Sequence, residues 1–402
     1  MNFEYSNKSK DLQKKIDEFI KENLLPFEKE FYSFTRSNLW EEFPKMKQWK
    51  DKAKAEGLWN LFLPKDYGSF GAGLTNLEYA PLAALMGRVS FASEVFNCSP
   101  PDTGNMEVIA KYGNKNQQEK WLKPLLDGSI RSSFLMTEPN VASSDATNIE
   151  TSIEKDGDYY LINGRKWWSS GAMHPKNEIF IVMGKTDFNA PRHLQQSMVL
   201  VPKNTPGVKI IRPLQVYGAL DSPEGHAEVE LKNVRIPKEN ILVGEAKGFE
   251  IAQGRLGPGR IHHCMRLIGA AERALELMCK RALKRNTFGK TLSKYSSIRQ
   301  EVAISKCLLE QSKLLTLSAA FKIDNYGIKE AKDLIAMIKI IVPKMTCDIV
   351  DKAIQIHGGM GVCQDTPLPD YWRYARTLRL ADGPDEVHMY QLGRNIINSY
   401  NA

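Results

Sequence analysis

The sequence predicts an α+β protein of several domains: an N-terminal α-helical domain, a central β-barrel or β-sandwich domain and a C-terminal four-helix bundle. Three observations lead to this fold class. The chain has 402 residues, more than one compact core usually holds. Runs rich in β-formers are confined to its middle, and long apolar helical patterns fill its last third. We place the domain boundaries at residues 1–131, 132–243 and 244–402.

Helical spacing predicts the first domain. In "SKDLQKKIDEFIKENL", Leu12, Ile16 and Phe19 recur three and four residues apart, which puts them on one face of a helix. "PKMKQWKDKAKAEGLW" predicts a helix that Gly57 ends, and "NKNQQEKWLKPLLDGSI" predicts another that ends by Gly128. The first third is therefore expected to be helical.

The middle domain is predicted from short β-rich runs such as "NEIFIVMGKTD", "QSMVLVPK" and "HAEVELKNVRI". In "GDYYLINGRKWWSSGA", Asn163 and Gly164 predict a hairpin turn. Because side chains alternate along a strand, we expect Trp167 and Trp168 to face opposite sides and Ser170 to share the face of Trp168. An aromatic plane beside a hydroxyl donor suits a flat ring such as an isoalloxazine, and two core tryptophans are the simpler alternative.

The last domain is predicted from long amphipathic patterns. Ile268, Ala271, Leu275 and Met278 step by three and four residues. "KEAKDLIAMIKIIVPKMTCDIVDKAIQIHGG" ends in a glycine pair that suits a helix C-terminus. Long apolar helices of this kind imply an antiparallel bundle.

Composition and charge argue against several classes of protein. The net charge is +8 but no block of five or six like charges occurs, so we expect no nucleic-acid partner. The six cysteines have no CxxC spacing, which indicates reduced cysteines of an intracellular protein rather than disulfides or a metal site. No apolar run approaches membrane-spanning length. The N-terminus lacks the apolar core of a secretory signal, and the final "NSYNA" is not a peroxisomal address.

Two stretches offer polar groups to a ligand. In "FLMTEPNVASSDA", the hydroxyls of Thr137, Ser143 and Ser144 and nearby backbone amides could hold an anionic or carbonyl-rich ligand, although a loop of Ser/Thr turns explains the same residues. In "KRNTFGKTL", Arg285 and Thr287 suit a phosphate contact. Basic residues that complement the helix dipole are the alternative there.

Two further stretches are open to two interpretations. The glycines of "QIHGGMGV" would let the backbone approach a pyrophosphate, or they merely end a helix. In "GRLGPGRIHHCM", His262 and His263 are adjacent and so point about 100° apart on a helix, which makes them a poor pair of metal ligands. We interpret these histidines as structural or ligand-contact residues.

"RLADGPDEVHMY" contains the acid that is hardest to explain structurally. Gly383 suits a cap, Pro384 the first helical position, and Asp385 and Glu386 a first turn whose dipole favours acids. Asp382 is left outside the helix without a capping role, beside the apolar "LRLA". A carboxylate at such a junction is a candidate catalytic base.

These stretches, in this order, resemble the acyl-CoA dehydrogenase family. The resemblance covers nearly the whole chain, from "LFLPKDYGSFGAGL" through "VRIPKENILVGEAKGFEIA" to "ADGPDEVHMY". "FNCSPPDTGNMEV", "LGPGRIHHCMR" and "RLADGPDEVH" resemble in particular the branch of family members 10 and 11. Animal members of that branch often carry a fused kinase-like domain, for which we expect no room here.

The resemblance implies FAD as cofactor and a homotetramer, or a dimer, of three-domain subunits. Thr137 would contact the flavin pyrimidine edge through its main chain or hydroxyl, Trp168 would flank the ring, and Ser170 would donate to flavin N5. The other cofactor contacts implied are Phe134, Met136, Ser144, Arg285, Thr287, Phe288, Gln355, Gly358, Gly359 and Glu386. The substrate contacts implied are Ser144, Arg260 and Gly383.

The resemblance also implies that Asp382 is the catalytic base. Most of the family has a glutamate there, so Asp382 has a reach shorter by about 1.5 Å, one carbon–carbon bond. The alternative position for the base, on the helix of Arg260, holds Gly259. Asp382 would remove the α-proton of a fatty acyl-CoA as a hydride leaves the β-carbon for the flavin. The products would be a trans-2-enoyl-CoA and electrons for electron-transfer flavoprotein.

Two alternatives stay open. The first is a flavin-dependent oxidase or monooxygenase on the same fold. Monooxygenases of this fold lack the carboxylate base, so Asp382 argues against that class. The second is a helical interaction protein without catalysis, against which Trp168, Ser170 and Arg285 argue. The expected compartment is the bacterial cytoplasm, or the mitochondrial matrix in a eukaryote.

Overall fold

The computed structural model describes residues 4–401 and has the predicted fold class: N-terminal helices, a central β-sheet and long C-terminal helices. The helices are α1 (Asn7–Phe19), α2 (Glu28–Ser37), α3 (Met46–Ala55), α4 (Asn76–Gly87), α5 (Ala92–Val95), α6 (Asp102–Tyr112), α7 (Lys115–Gln117), α8 (Lys123–Asp127), α9 (Gly248–Lys284), α10 (Ser296–His357), α11 (Leu368–Thr377) and α12 (Asp385–Ser399). The strands are β1 (Arg131–Leu135), β2 (Ser152–Asp156), β3 (Tyr159–Ser170), β4 (Asn177–Lys185), β5 (Gln196–Pro202), β6 (Val208–Leu214), β7 (His226–Pro237), β8 (Asn286–Thr287) and β9 (Lys290–Thr291).

By its internal contacts the chain divides into two compact units. The helical unit comprises the residues up to Lys29, Leu74–Val95 and the residues from Gly257 onward. The β unit comprises Glu30–Gly73 and Phe96–Leu256. The division into three consecutive domains stays a prediction.

Close backbone packing holds α4 against α9 in the helical unit. A Cβ placed on Gly269 would lie 1.7 Å from the carbonyl oxygen of Ala84, and one on Gly87 would lie 2.0 Å from that of Arg266. Any larger residue at these two positions would push the helices apart. The start of α4 is fixed by a capping box, in which Thr75 and Glu78 each accept the other's backbone N–H.

A single seven-stranded sheet forms the core of the β unit. Its order is β1-β4-β2-β3-β7-β6, and β5, which lies outside this path, pairs with β4. β1 runs parallel to β4, whereas β7 pairs antiparallel with both β3 and β6. The fully buried core side chains include Leu135, Ile162, Val182 and Val229.

The hairpin turn predicted at Asn163 and Gly164 is wrong. Both residues lie inside β3, where Asn163 pairs with Ser152 and Gly164 pairs with Leu231. A Cβ on Gly164 would lie 2.2 Å from Oγ1 of Thr151, so this glycine serves close packing between strands rather than a turn.

The longest helix is interrupted once. Within α10, Gly327 has a φ of 82°, so two helices meet there. Nowhere between residues 4 and 401 is a helix both long enough and apolar enough to cross a membrane.

Candidate functional site

A buried ion pair in the β unit anchors the loop that follows β1. The ammonium of Lys166 on β3 donates to Oε1 of Glu138 at 2.7 Å and to the carbonyl of Met136 at 2.9 Å. Burial lowers the pKa of Lys166 to about 8 against the opposing effect of Glu138. Burial alone would raise the pKa of Glu138, but Lys166 and hydrogen bonds from Thr151 and Glu150 hold it below its usual value. Both charged groups are therefore compensated.

The same loop is tied directly to β3 next to this ion pair. The hydroxyl of Thr137 donates to the carbonyl of Trp167 at 2.7 Å, and the N–H of Trp167 donates to the carbonyl of Thr137 at 3.0 Å. Of the two Thr137 contacts expected for a flavin, the hydroxyl proton is thus already used within the protein. The main-chain contact stays the open prediction.

The two serines further along the loop differ in their bonding. The hydroxyl of Ser143 accepts the N–H of Glu138 at 2.9 Å, so Ser143 closes a turn. Ser144 is exposed, and within residues 4–401 its side chain has no hydrogen-bond partner. This difference favours Ser144 over Ser143 as a ligand contact.

A β-bulge places Trp168 at the surface. The register of β3 against β7 shifts between Lys166 and Ser169, and Trp168 has a φ of 51°. The expectation of strict alternation, with the two tryptophans on opposite faces, is therefore wrong. The rings of Trp167 and Trp168 lie side by side, 6.1 Å apart, and Trp168 is 42% exposed.

Ser170 heads a hydrogen-bonded chain of three residues. Its hydroxyl lies 2.8 Å from Nδ1 of His226, and Nε2 of His226 lies 3.2 Å from Oδ2 of Asp221. The ring of Trp168 is 5.9 Å from that of His226. An exposed indole and a hydroxyl whose orientation is controlled thus lie together at the end of β3.

A buried polar cluster lies on α6. Nε of Arg255 donates to Oδ1 of Asn105 at 3.1 Å, and its guanidinium carbon lies 4.0 Å from the ring centre of Phe134. Burial raises the pKa of Glu107 to about 8, against the opposing charges of Arg255 and Lys111. Oε2 of Glu107 has no hydrogen-bond partner within the described residues.

In the helical unit, two cationic side chains hold the loop that carries Asp382. Nε of Arg260 on α9 donates to the carbonyl of Asp382 at 2.9 Å. The buried ammonium of Lys339 on α10 donates to the carbonyls of Leu378 at 2.5 Å and Ala381 at 2.8 Å. Asp382 itself has a φ of 56°, a strained backbone conformation that such contacts stabilise.

The carboxylate of Asp382 lies against α9. Its Oδ2 is 3.5 Å from Nε2 of His263, and a Cβ added to Gly259 would approach it to 3.3 Å. The interpretation of His262 and His263 as structural or ligand-contact residues divides between the two. His262 is buried against the ring of Tyr79, whereas His263 faces the candidate base.

The acids after Asp382 are arranged much as expected. Helix α12 begins at Asp385, and Pro384 is its N-cap. Pro384 was predicted to be the first helical residue, so it lies one position earlier relative to the helix than predicted. Asp385 is buried and accepts from Nε of Arg379 at 2.7 Å. Glu386 is exposed, and Gly383 has a φ of 98°.

Six of the residues expected to contact FAD lie just after α9 and at the end of α10. Arg285, Thr287 and Phe288 belong to the short hairpin after α9, and Phe288 is 97% exposed. Gln355, Gly358 and Gly359 lie where α10 ends, and Gly358 has a φ of 65°. Arg281 near the end of α9 donates to the carbonyl of His357 at 3.4 Å, which connects the two segments.

Three family models match the chain. They are the N-terminal, middle and C-terminal domains of acyl-CoA dehydrogenase, at residues 6–129, 133–234 and 246–397. The chain belongs to the acyl-CoA dehydrogenase family. Mouse acyl-CoA dehydrogenase family member 10 is 53% identical over 95% of this chain and 36% of its own length, and the predicted branch of members 10 and 11 is confirmed.

Two further members of the acyl-CoA dehydrogenase family are similar over nearly their whole length. FadE2 of Mycobacterium tuberculosis is 49% identical over 98% of this chain and 96% of its own. A solved acyl-CoA dehydrogenase structure from Mycobacterium abscessus is 48% identical with a TM-score of 0.96, covering 99% of this chain and 100% of its own. The chain spans about half the length, or less, of the first curated relatives it matches.

The residues of the β unit fit the flavin that this family implies. A bulge exposes Trp168, and Ser170 and the main chain of Thr137 lie close to it. An exposed indole held out by a strained backbone suits a flat ring as its partner. The exposed Phe288 suits a flat or apolar part of a ligand, and the glycine-rich end of α10 allows the backbone to approach a phosphate group closely.

The sequence did not single out several residues that the structure places around the candidates. His226 and Asp221 support Ser170, and Glu138 pairs with Lys166. Lys339 could have been found, because it is a lone charge in the apolar run "LIAMIKIIV" and such a charge needs buried partners.

Proposed function

We propose that this chain catalyses the FAD-dependent α,β-dehydrogenation of a fatty acyl-CoA to a trans-2-enoyl-CoA, with electrons passed to electron-transfer flavoprotein. The observation that supports it most is the way the helical unit holds Asp382. Arg260 and Lys339 fix its backbone loop, while its carboxylate keeps a defined position beside His263. A general base needs such a fixed position, because proton transfer requires contact at about 3 Å.

In this proposal Asp382 takes the α-proton of the thioester on a carboxylate oxygen. The N–H of Asp382 donates to the thioester carbonyl and so stabilises the negative charge that develops there. FAD, when bound, accepts the hydride from the β-carbon. Arg260, Gly383 and Ser144 contact the acyl-CoA, and Arg260 also keeps the Asp382 loop in place through its carbonyl.

In this proposal the β unit provides the contacts to the isoalloxazine ring of the flavin. Trp168 covers the ring, the N–H of Thr137 meets the pyrimidine edge, and Ser170 meets N5. Phe134 and Met136 line the same loop. The remaining cofactor contacts proposed are Ser144, Arg285, Thr287, Phe288, Gln355, Gly358, Gly359 and Glu386.

We further propose that the protein works as a homotetramer. Arg285 and Phe288 would then reach the adenosine diphosphate of a cofactor bound mainly by a neighbouring copy. The nearly complete exposure of Phe288 supports this proposal, because a large aromatic ring left in water is unfavourable. We propose a bacterial cytoplasmic location on the similarity to FadE2.

Anaerobic flavin spectroscopy tests the proposed function. The purified yellow protein is titrated with saturated acyl-CoAs of increasing chain length, as wild type, Asp382→Asn and the control Asp348→Asn. Asp348 is a surface acid paired with Lys344. We expect wild type and control to bleach, and Asp382→Asn to reduce its flavin about 10²–10⁴-fold more slowly, the usual contribution of a general base.

Other results would favour the alternatives. Equal bleaching by Asp382→Asn would show that Asp382 is not the base. Rapid reoxidation of the reduced flavin by air, with none by electron-transfer flavoprotein, would indicate an oxidase. A protein that holds no flavin would support a non-catalytic role.

A further inference from the structure

We propose that His263 is a positioning residue for Asp382: it stays uncharged and directs its Nε2–H at the carboxylate. The inference rests on the proposed function, because it concerns the base of that reaction. Nε2 of His263 lies 3.5 Å from Oδ2 of Asp382, a distance that a small movement of the carboxylate on substrate binding would shorten.

The far side of the imidazole determines which nitrogen carries the proton. Nδ1 of His263 lies 3.2 Å from a guanidinium nitrogen of Arg266 and 3.2 Å from the hydroxyl of Tyr374. Arginine can only donate hydrogen bonds, so Nδ1 must accept. A neutral imidazole with a bare Nδ1 has its proton on Nε2, the nitrogen that faces Asp382. Arg266 therefore makes His263 a donor to the carboxylate.

His263 also keeps its neutral form. Burial, and after it the charge of Arg266, lowers the pKa of His263 to about 3. This matters for the base, because an imidazolium would form an ion pair with the carboxylate and make it less basic. A neutral hydrogen-bond donor orients the carboxylate oxygens and lowers their basicity less than an imidazolium would.

The other charged and titratable groups around Asp382 have different partners. Arg260 donates to its backbone carbonyl, and Lys339 donates to the carbonyls of Leu378 and Ala381. Nε2 of His388 lies 3.3 Å from the same Asp382 carbonyl. Burial raises the pKa of Cys264 to about 12, so its thiol is uncharged at neutral pH. Arg260, Lys339 and His388 contact the backbone of the loop, whereas His263 faces the carboxylate.

Gly259 leaves space on α9 for the carboxylate of Asp382. It lies one helical turn before His263, so both present the same face of α9. A methyl group there would come within 3.3 Å of Oδ2 of Asp382, closer than is comfortable for a carbon atom. A glycine at 259 and an aspartate at 382 thus fit each other, and the short acid rests on the helix where a side chain is missing.

The experiment compares His263→Leu with His263→Gln, since glutamine can keep a donor near the position of Nε2. The main measurement is exchange of the acyl-CoA α-hydrogens with D₂O, followed by mass spectrometry. In this exchange the α C–H bond breaks as a carboxyl O–H forms and the electron pair stays on the thioester; the carboxyl hydrogen then exchanges with D₂O, and the O–D bond breaks as the α C–D bond forms. It needs no oxidant, so it reports proton removal separately from flavin reduction. Three further quantities are measured alongside: the pH dependence of flavin reduction, the KM and the melting temperature.

We expect His263→Leu to slow the exchange about 10- to 100-fold, the effect of losing one hydrogen bond to a charged group. KM should change less than about twofold, since the substrate contacts remain. The acid limb of flavin reduction should move up by about one pH unit, because the donor that stabilises the anionic carboxylate is gone. His263→Gln should recover most of the exchange rate. Gly259→Ala should slow the exchange without lowering the melting temperature, since alanine is the better helix former.

Three outcomes would overturn the inference. One is an unchanged exchange rate in His263→Leu. Another is an equal loss in both His263 variants with lowered melting temperatures, which would indicate a packing role. The third is a slower rate with an unmoved acid limb. A wild-type protein that exchanges α-hydrogens but never reduces its flavin would overturn the proposed dehydrogenation and leave the His263 inference standing. A wild type that does neither would overturn both.

Discussion

Both the β unit and the helical unit place a buried lysine and a histidine next to their candidate functional group, but the far ring nitrogen of each histidine meets a group of opposite charge. In the β unit, Lys166 pairs with the carboxylate of Glu138 and His226 faces the carboxylate of Asp221. In the helical unit, Lys339 donates to two carbonyls and His263 faces Arg266.

In each histidine, the hydrogen-bond partner of one ring nitrogen determines whether the other ring nitrogen donates or accepts. An ionised Asp221 can only accept, so in its neutral form His226 carries the proton on Nε2 and Nδ1 accepts from the hydroxyl of Ser170, whose single proton would have to turn from His226 to flavin N5 when FAD binds. Arg266 can only donate, so His263 becomes a donor to Asp382. One residue type therefore serves as acceptor in one region and as donor in the other.

The largest expected difference between the regions concerns the two lysines. Lys166→Met leaves the carboxylate of Glu138 buried without its counter-charge, so the free energy of unfolding of the β unit should fall by about 3–5 kcal/mol. Lys339→Met leaves only two carbonyls without their donor, so the helical unit should lose about 1–3 kcal/mol. Urea unfolding followed by circular dichroism measures both, and equal losses would contradict the contrast in charge compensation.

A smaller effect should separate Glu107 and Glu138, two of the buried glutamates of the β unit. The pKa of Glu107 is raised from its usual 4.5 to about 8, so the folded state holds a proton there that the unfolded state has released. Stability should therefore fall as the pH rises from about 4.5 to 8. Glu107→Gln, which resembles the protonated form, should remove this loss and be more stable than wild type at pH 8 by roughly 1–4 kcal/mol.

The matched control is Glu138→Gln, because Lys166 and the hydrogen bonds hold the pKa of Glu138 below its usual value. That variant should lose stability at pH 8 instead of gaining it. Thermal melting of both variants at pH 5 and pH 8 measures the difference. A Glu107→Gln protein with the pH dependence of wild type would show that Glu107 is already ionised in the folded protein.

The smallest expected effects are those of replacing His226 and His263, and each replacement should change a different measured quantity. His226→Leu removes the hydrogen-bond partner of Ser170, so FAD affinity should change by about 2- to 10-fold, the range of one neutral hydrogen bond. Its α-hydrogen exchange should stay at the wild-type rate. His263→Leu should show the reverse pattern. Fluorescence titration of the flavin-free protein with FAD measures the affinity, and a loss of exchange in His226→Leu would contradict the separation.

Sequence patterns predicted the elements well but failed where packing overrode a local rule. Asn163 and Gly164 have the composition of a turn, yet both pair within β3, and the glycine is needed at 164 because Thr151 leaves no space for a side chain. Alternation predicted opposite faces for Trp167 and Trp168, and a bulge against β7 cancels that rule. A bulge depends on the partner strand, which a single sequence does not reveal.

The sequence by itself determined the fold class, the family and Asp382 as the candidate base, because periodicity, glycine positions and ordered motifs are local properties of the chain. Only the tertiary structure decided what surrounds the candidates. His263, which has Arg266 three residues along the same helix, meets Asp382 and Tyr374 across more than a hundred residues of chain. Hydrogen-bond polarity depends on which groups folding brings within about 3 Å of each other, so it could be assigned only once those neighbours were known.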